Sequence, residues 1–196
     1  MIYLTEYESK GLSRQEEYKL QKEVSKLCLY ESLKRTLNRE VSPEEIFKGA
    51  HGKPYLKNSE VFFNVTNCTG LVCCAVHSSE IGIDAESIIN YSPELTKRVC
   101  TNNEAKTIDE AENKAEMFIR FWTLKESYVK YIGIGLGYGL ENAEFSFCGE
   151  KPVCVSSPHM KIVQKDFLHL QSPAIMSVCT EDEFCSEICR LTIYPK

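Results

Sequence analysis

Twice along this chain, a stretch with helical spacing of apolar residues is followed by a set of short strand-like runs, and that order restricts the fold more than any other feature. From Ser13 to Arg39, apolar residues stand at Leu20, Val24, Leu27, Leu33 and Leu37 with charges between them, the repeat of a helix with one buried face. A short helix opens at Ser42, with Pro43 at its first position. HGKPYL reads as a loop. EVFFNV, LVCCAV and EIGIDAE follow as consecutive strands, rich in β-branched and aromatic residues and parted by turn residues. Beyond Asp84 the pattern turns helical again through SPELTKRVC and TNNEAKTIDEAE, where Thr101 and Glu104 have capping-box spacing, and then through a longer helix from Lys114 to Tyr131. The tail offers strands at AEFSF, HMKIVQKD, AIMSVCT and ICRLTIY. Helices and strands that come in runs rather than alternating predict an α+β fold. No repeat is visible residue by residue.

The 196 residues, 43% of them hydrophobic, suffice for one compact unit or two small halves sharing a core. The first residues carry no basic and apolar leader, and no apolar run approaches ~20 residues, so a cytoplasmic protein without a membrane span is expected. A net charge of -5 argues against a surface devoted to the nucleic-acid backbone, so a polyanion must be held by a local cluster. Ten cysteines occur without a CxxC pair, mostly inside apolar runs such as GLVCCAV. They read as small, reduced core residues; Cys185 and Cys189, spaced like a helical turn near Cys179, are the one group open to another use.

Two segments carry candidate chemistry. On a strand, Asp84 and Glu86 of IGIDAES project from the same face, where they repel each other unless water, a cation or a base lies between them. A solvated strand end is the plainer alternative. In the long helix, Phe118, Phe121, Trp122, Lys125, Tyr128 and Val129 share one broad face, with Trp122, Glu126 and Lys130 as a line along its flank. Charges bordering a buried face need a partner or a ligand, although Glu126 and Lys130 could equally form a simple helical ion pair. Taken together, Asp84, Glu86 and Glu126 are the hard oxygen ligands that Mg²⁺ prefers, with Lys125 and Lys130 placed to face phosphates. The glycines after this helix, GIGLGYG, do not spell G-x-G-x-x-G and follow a helix instead of opening one, so a dinucleotide fingerprint is excluded. Gly133 reads as the helix C-cap, and Gly135 to Gly139 as a tight turn into the next strand.

The pairing of Gly82-Ile83-Asp84-Ala85-Glu86 with Trp122-Thr123-Leu124-Lys125-Glu126-Ser127-Tyr128-Val129-Lys130, with Asp84 and Glu126 42 residues apart, resembles the 4′-phosphopantetheinyl transferases. The two-halved type, similar to the surfactin synthetase activator, is the nearer match. Gly52-Lys53-Pro54 looks like that family's G-K-P loop, Phe63-Asn64-Val65-Thr66 like its F-N-[IV]-S strand, and VCTNNEA like its F-S-x-x-E helix start. The resemblance covers about Gly52 to Phe145. Where the family has a histidine for the 3′-phosphate of coenzyme A, this chain has Asn67, a neutral donor that implies a weaker contact.

The resemblance implies a pseudo-twofold pair of similar α+β halves, each with an antiparallel sheet packed on helices. Residues 1–81 would supply coenzyme A contacts and residues 82–196 the metal and catalytic residues, with one site in the cleft of a monomer. It implies transfer of phosphopantetheine from coenzyme A to a serine of an acyl- or peptidyl-carrier protein, with Mg²⁺ (or Mn²⁺) held by Asp84, Glu86 and Glu126. Glu126, Lys130 and Lys125 would be catalytic, and Gly52, Lys53, Pro54, Thr66, Asn67, Asp84 and Lys130 would contact the donor. Glu126, or a water bound beside it, is the expected base. Two other classes fit some of these residues: a non-catalytic relative that grips a carrier protein or coenzyme A, and a Mg²⁺-dependent phosphohydrolase.

Overall fold

A computed structural model describes residues 1–88 and 91–195, and at 136 the backbone alone. The first half runs β1 (Ile2–Glu6), α1 (Arg14–Leu37), a hairpin of β2 (Ile46–Lys48) and β3 (Pro54–Leu56), then β4 (Phe62–Cys68) and β5 (Leu71–His77). The second runs β6 (Ile81–Ser87), α2 (Pro93–Val99), α3 (Asn102–Glu110), α4 (Lys114–Ile132), a hairpin of β7 (Phe145–Cys148) and β8 (Lys151–Cys154), then β9 (Lys161–His169) and β10 (Ser172–Thr180). Sheet orders β1-β5-β4 and β6-β10-β9 correspond strand for strand, both wholly antiparallel over those strands. α1 and α4 correspond likewise, as do the two hairpins, so the halves repeat in topology although their residues do not. α2 and α3 are additions to the second half. The last strand, β11 (Ile188–Arg190), returns to the first sheet and pairs in parallel with β1.

Side-chain alternation explains the layering. On β5, Val72, Cys74 and Val76 pack toward α1, while Leu71, Cys73 and Ala75 meet Ile81, Ile83 and Ala85 of β6 and Met176 and Val178 of β10. A central strand with helix on one side and sheet on the other must be apolar throughout, which is why LVCCAV is an unbroken run. The opposite face of β10, with Ile175 and Cys179, packs on α4 through Phe118, Phe121, Leu124 and Tyr128. All ten cysteines are free; Cys28, Cys73, Cys74, Cys100, Cys154 and Cys179 are buried, while Cys185 is exposed and Cys189 lies in β11 rather than on a helix.

Local signals set the helix ends. Ser13 caps α1 through a capping box with Glu16, and Asn38 closes it in the left-handed region. Thr101 and Glu104 form the expected box on α3, and Gly133 ends α4 at φ 70°. Three expectations need correction. β1 was not anticipated; HGKPYL is no loop throughout, since Pro54–Leu56 pairs with Ile46–Lys48; and of ICRLTIY only Ile188–Arg190 is strand. Gly135 to Gly139 runs through a 3-10 turn, Gly135–Tyr138, before β7. No helix among the described residues is long and apolar enough to cross a membrane.

Candidate functional site

Gly82 brings the two motif segments together. A methyl group at Gly82 would fall 2.0 Å from the carbonyl oxygen of Ser127 and 2.4 Å from the amide nitrogen of Tyr131, so β6 runs against the backbone of α4 as only glycine permits. Hydrogen bonds between Thr123 and Ser177 (2.8 Å) and between Ser127 and Cys179 (3.2 Å) fasten the same helix to β10. With Ile81, Ile83 and Ala85 committed to the core between the sheets, Asp84 and Glu86 fall on the other face of β6. There they share a cavity of about 390 Å³ with Trp122, Glu126 and Lys130 of α4 and with Val65, Thr66 and Asn67 of β4.

Asp84, only 3% exposed, is the centre of this cluster. Its Oδ1 accepts from Lys130 Nζ at 2.6 Å and from the Thr66 hydroxyl at 2.8 Å, and Lys130 also donates to Thr66 Oγ1 at 3.0 Å. Its Oδ2 is buried and has no hydrogen-bond partner. Burial, and then the charge of Asp84, push the Glu86 carboxyl up from 4.5 to about 7. The same two causes raise that of Glu126, opposed by Lys130. Three carboxylates thus face one ammonium. Among the described residues no three His, Cys, Asp or Glu side chains yet stand as a closed cage for an ion, and Lys130 occupies one of Asp84's oxygens instead. The orphaned Oδ2 and the two desolvated glutamates nevertheless fit a hard divalent cation, whose charge would relieve all three.

A second cavity of about 280 Å³ lies across the Glu126–Lys130 ridge, lined by His51, Gly52, Lys53, Asn64, Val129, Gly133 and Gly135. Gly52, with φ 86°, shapes the turn between β2 and β3, and Pro54 opens β3. Lys53 reaches under this cavity and donates to Glu80 (2.7 Å), the Tyr131 carbonyl (2.9 Å) and the Ile81 carbonyl (3.1 Å). An ammonium has three protons, and these three acceptors take them all, so Lys53 here is a strut between the hairpin, β6 and the end of α4. Asn67, exposed at the mouth of the first cavity, donates to Ser25 of α1 at 3.2 Å.

Lys125 does not join the cluster. It is fully buried on the far side of α4, paired with an equally buried Glu104 at 2.7 Å and bonded to the carbonyls of Leu140 and Ala143. Glu104 in turn accepts from the amides of Thr101 and Phe145. This fully satisfied pair anchors α4 to the start of α3 and to β7, so Lys125 is placed as structure and not as a contact to substrate. Its partner went unseen in the sequence because Glu104 already had a local role as a cap. Trp122 packs on Phe118, with ring centroids 6.0 Å apart, and also walls the carboxylate cavity. A third cleft of about 370 Å³, between Ile88 and Phe167, has no convergent free charge, because its Glu116 and Asp166 both pair with Arg120.

Residues 80–183, more than half of the chain, match the family model described as the 4′-phosphopantetheinyl transferase superfamily. The chain is similar to an L-aminoadipate-semialdehyde dehydrogenase-phosphopantetheinyl transferase of Candida glabrata, 32% identical over 105 residues that cover 48% of this chain and 41% of that protein. It is similar to 4′-phosphopantetheinyl transferase Sfp of Bacillus subtilis (28% over 111 residues, 55% and 50%) and to psf-1 of Bacillus pumilus (27% over 142 residues, 70% and 60%). The chain therefore spans about half the length of the curated relatives it matches. Among solved structures, a holo-(acyl-carrier-protein) synthase of Bacillus anthracis in complex with CoA (3′,5′-ADP) matches with TM-score 0.43 and 22% identity, over 52% of this chain and 94% of that one.

Proposed function

This chain belongs to the 4′-phosphopantetheinyl transferase superfamily, and we propose that it transfers the 4′-phosphopantetheine group of coenzyme A to a serine hydroxyl of an acyl- or peptidyl-carrier protein. The observation that carries this reading is the Asp84–Glu86–Glu126 cluster with Lys130 at its edge, open to a cavity between β4, β6 and α4.

The reaction forms a bond between the serine oxygen and the phosphorus that bears pantetheine, and breaks the bond from that phosphorus to the 3′,5′-ADP leaving group. A serine hydroxyl near pH 7 needs a base within hydrogen-bond reach. Glu126, whose carboxyl is raised by burial and by Asp84, holds a proton more readily than an exposed glutamate and is the residue we assign to receive it. Asp84, Glu86 and Glu126 would hold Mg²⁺ or Mn²⁺. Such an ion, when bound, neutralises charge that builds on the pyrophosphate as it breaks. Lys130 would turn its ammonium from Asp84 to the departing phosphate, with Trp122 and Val65 walling the cavity beside it. The ten free cysteines accord with a reducing, cytoplasmic setting, and a single chain carries every residue assigned here, so we propose a monomer.

Incubation with coenzyme A, Mg²⁺ and several unmodified carrier proteins, followed by product analysis, tests this. Release of 3′,5′-ADP matched by a modified carrier is the expected result. Coenzyme A cleavage without carrier modification would mark a phosphohydrolase, and binding without cleavage a non-catalytic relative.

A further inference from the structure

The segment Phe63-Asn64-Val65-Thr66 lies on the edge strand of the first sheet, beside β6, the edge strand of the second. Asn64 and Thr66 are two residues apart and leave the same face of β4. No ladder joins β4 to β6, so the edge of β6 must satisfy its polar groups in another way. It does so through these two side chains: Asn64 Oδ1 accepts the amide of Ile83 at 3.0 Å, and Thr66 Oγ1 donates to the carboxylate of Asp84 at 2.8 Å. Adjacent groups of β6, the backbone at Ile83 and the side chain at Asp84, are thereby fixed by alternate residues of β4.

The proton on Thr66 can point in one direction only. An ammonium has nothing but donors and an ionised carboxylate nothing but acceptors, so Lys130 donates to Thr66 and Thr66 donates to Asp84. Its single proton is thereby given to Asp84. Asp84 Oδ1 carries two charge-assisted bonds as a result, and Oδ2 alone is left with free lone pairs. We infer that Thr66 is a positioning residue for the metal site: it locks the rotation of the Asp84 carboxylate so that Oδ2 is presented to a divalent cation, while Asn64 fixes the strand beneath it. This rests on the metal-dependent reading given above. It places the joint between the two sheets inside the metal site, so that the packing of the halves and the orientation of one ligand oxygen are set by the same strand.

The test is Mn²⁺ affinity, measured by calorimetry or by the loss of the free-ion resonance, on the full chain without coenzyme A. Thr66→Val keeps the shape and removes the hydroxyl, and Thr66→Ser keeps the hydroxyl. Orienting partners of this kind are typically worth about 10- to 100-fold in metal affinity. The Val variant should therefore bind Mn²⁺ at least about tenfold more weakly, the Ser variant within about threefold of the unaltered protein. Thr66→Ala replaces the Val variant if that one fails to fold. Full Mn²⁺ affinity in the Val or Ala variant would overturn the inference. Absence of Mn²⁺ binding by the unaltered protein would overturn the metal reading together with it, whereas a weakened variant beside an unaltered protein that binds metal but modifies no carrier would leave the inference standing and reject the transfer.

Discussion

Lys130 Nζ lies 2.6 Å from Oδ1 of Asp84, a bond between the last turn of α4 and the middle of β6 across residues 46 positions apart. It holds the carboxylate cluster together by charge, and it occupies an atom that stands beside the proposed metal position. An ammonium and a cation near one carboxylate repel each other, so each weakens the hold of the other.

Removing that competition gives the first expectation. Lys130→Met should bind Mn²⁺ roughly two- to tenfold more tightly in the absence of coenzyme A, because like charge no longer opposes the ion. Carrier modification should nevertheless fall at least about tenfold, since a phosphate contact is lost. Calorimetry and turnover on the same preparation check both, and weaker metal binding would contradict the competitive arrangement.

Gly82 is the second. A methyl group there meets backbone atoms of Ser127 and Tyr131, which belong to a helix pinned on its far side and cannot retreat. Gly82→Ala should cost at least about 3 kcal/mol in denaturant unfolding and move α4 away from β6. Activity of the folded fraction should drop with it, because Glu126 and Asp84 sit on the two elements being parted.

The anchoring role of Lys125 gives the third. Lys125→Met leaves Glu104 buried without its cation, a loss of about 3–5 kcal/mol. Changing Glu104→Leu in addition removes the stranded charge and should restore part of that stability. A Lys125→Met protein of undiminished stability but abolished turnover would instead return Lys125 to the catalytic group.

Much of the site was legible because helical and strand periods place side chains before any fold is known. The i, i+4, i+8 line of Trp122, Glu126 and Lys130 and the i, i+2 pair Asp84 and Glu86 all line one cavity. What sequence spacing does not disclose is which partner a charge finds. Lys125 and Lys130 are one and a half turns apart on one helix, yet one ammonium is sealed against Glu104 and the other faces the cleft. Lys53 belonged to a recognisable loop, but Glu80 and two carbonyls claim its protons. β1 was missed because the five residues Ile2–Glu6 show no clean alternation. They are buried almost throughout as a strand between β5 and β11, and β11 comes from the other end of the chain.

The raised carboxyl of Glu86 gives a pH dependence with a definite sign. Between 4.5 and about 7 the folded protein retains a proton on Glu86 that the unfolded chain has released, so this group lowers stability as pH rises through that window. Glu86→Gln removes the effect. Without divalent cations, the variant should melt at nearly the same temperature as the unaltered protein near pH 4.5 and at a higher one above pH 7. Added Mg²⁺ should narrow the difference by stabilising only the unaltered protein.

The most direct test of the whole account is the intact mass of an unmodified carrier protein after incubation with coenzyme A and Mg²⁺, using the unaltered chain, Asp84→Asn and Glu126→Gln in parallel. The unaltered chain should add one phosphopantetheine group to a single serine, and both variants should do so at least about a hundredfold more slowly. A carrier of unchanged mass across several carrier types, or variants as fast as the unaltered chain, would contradict it.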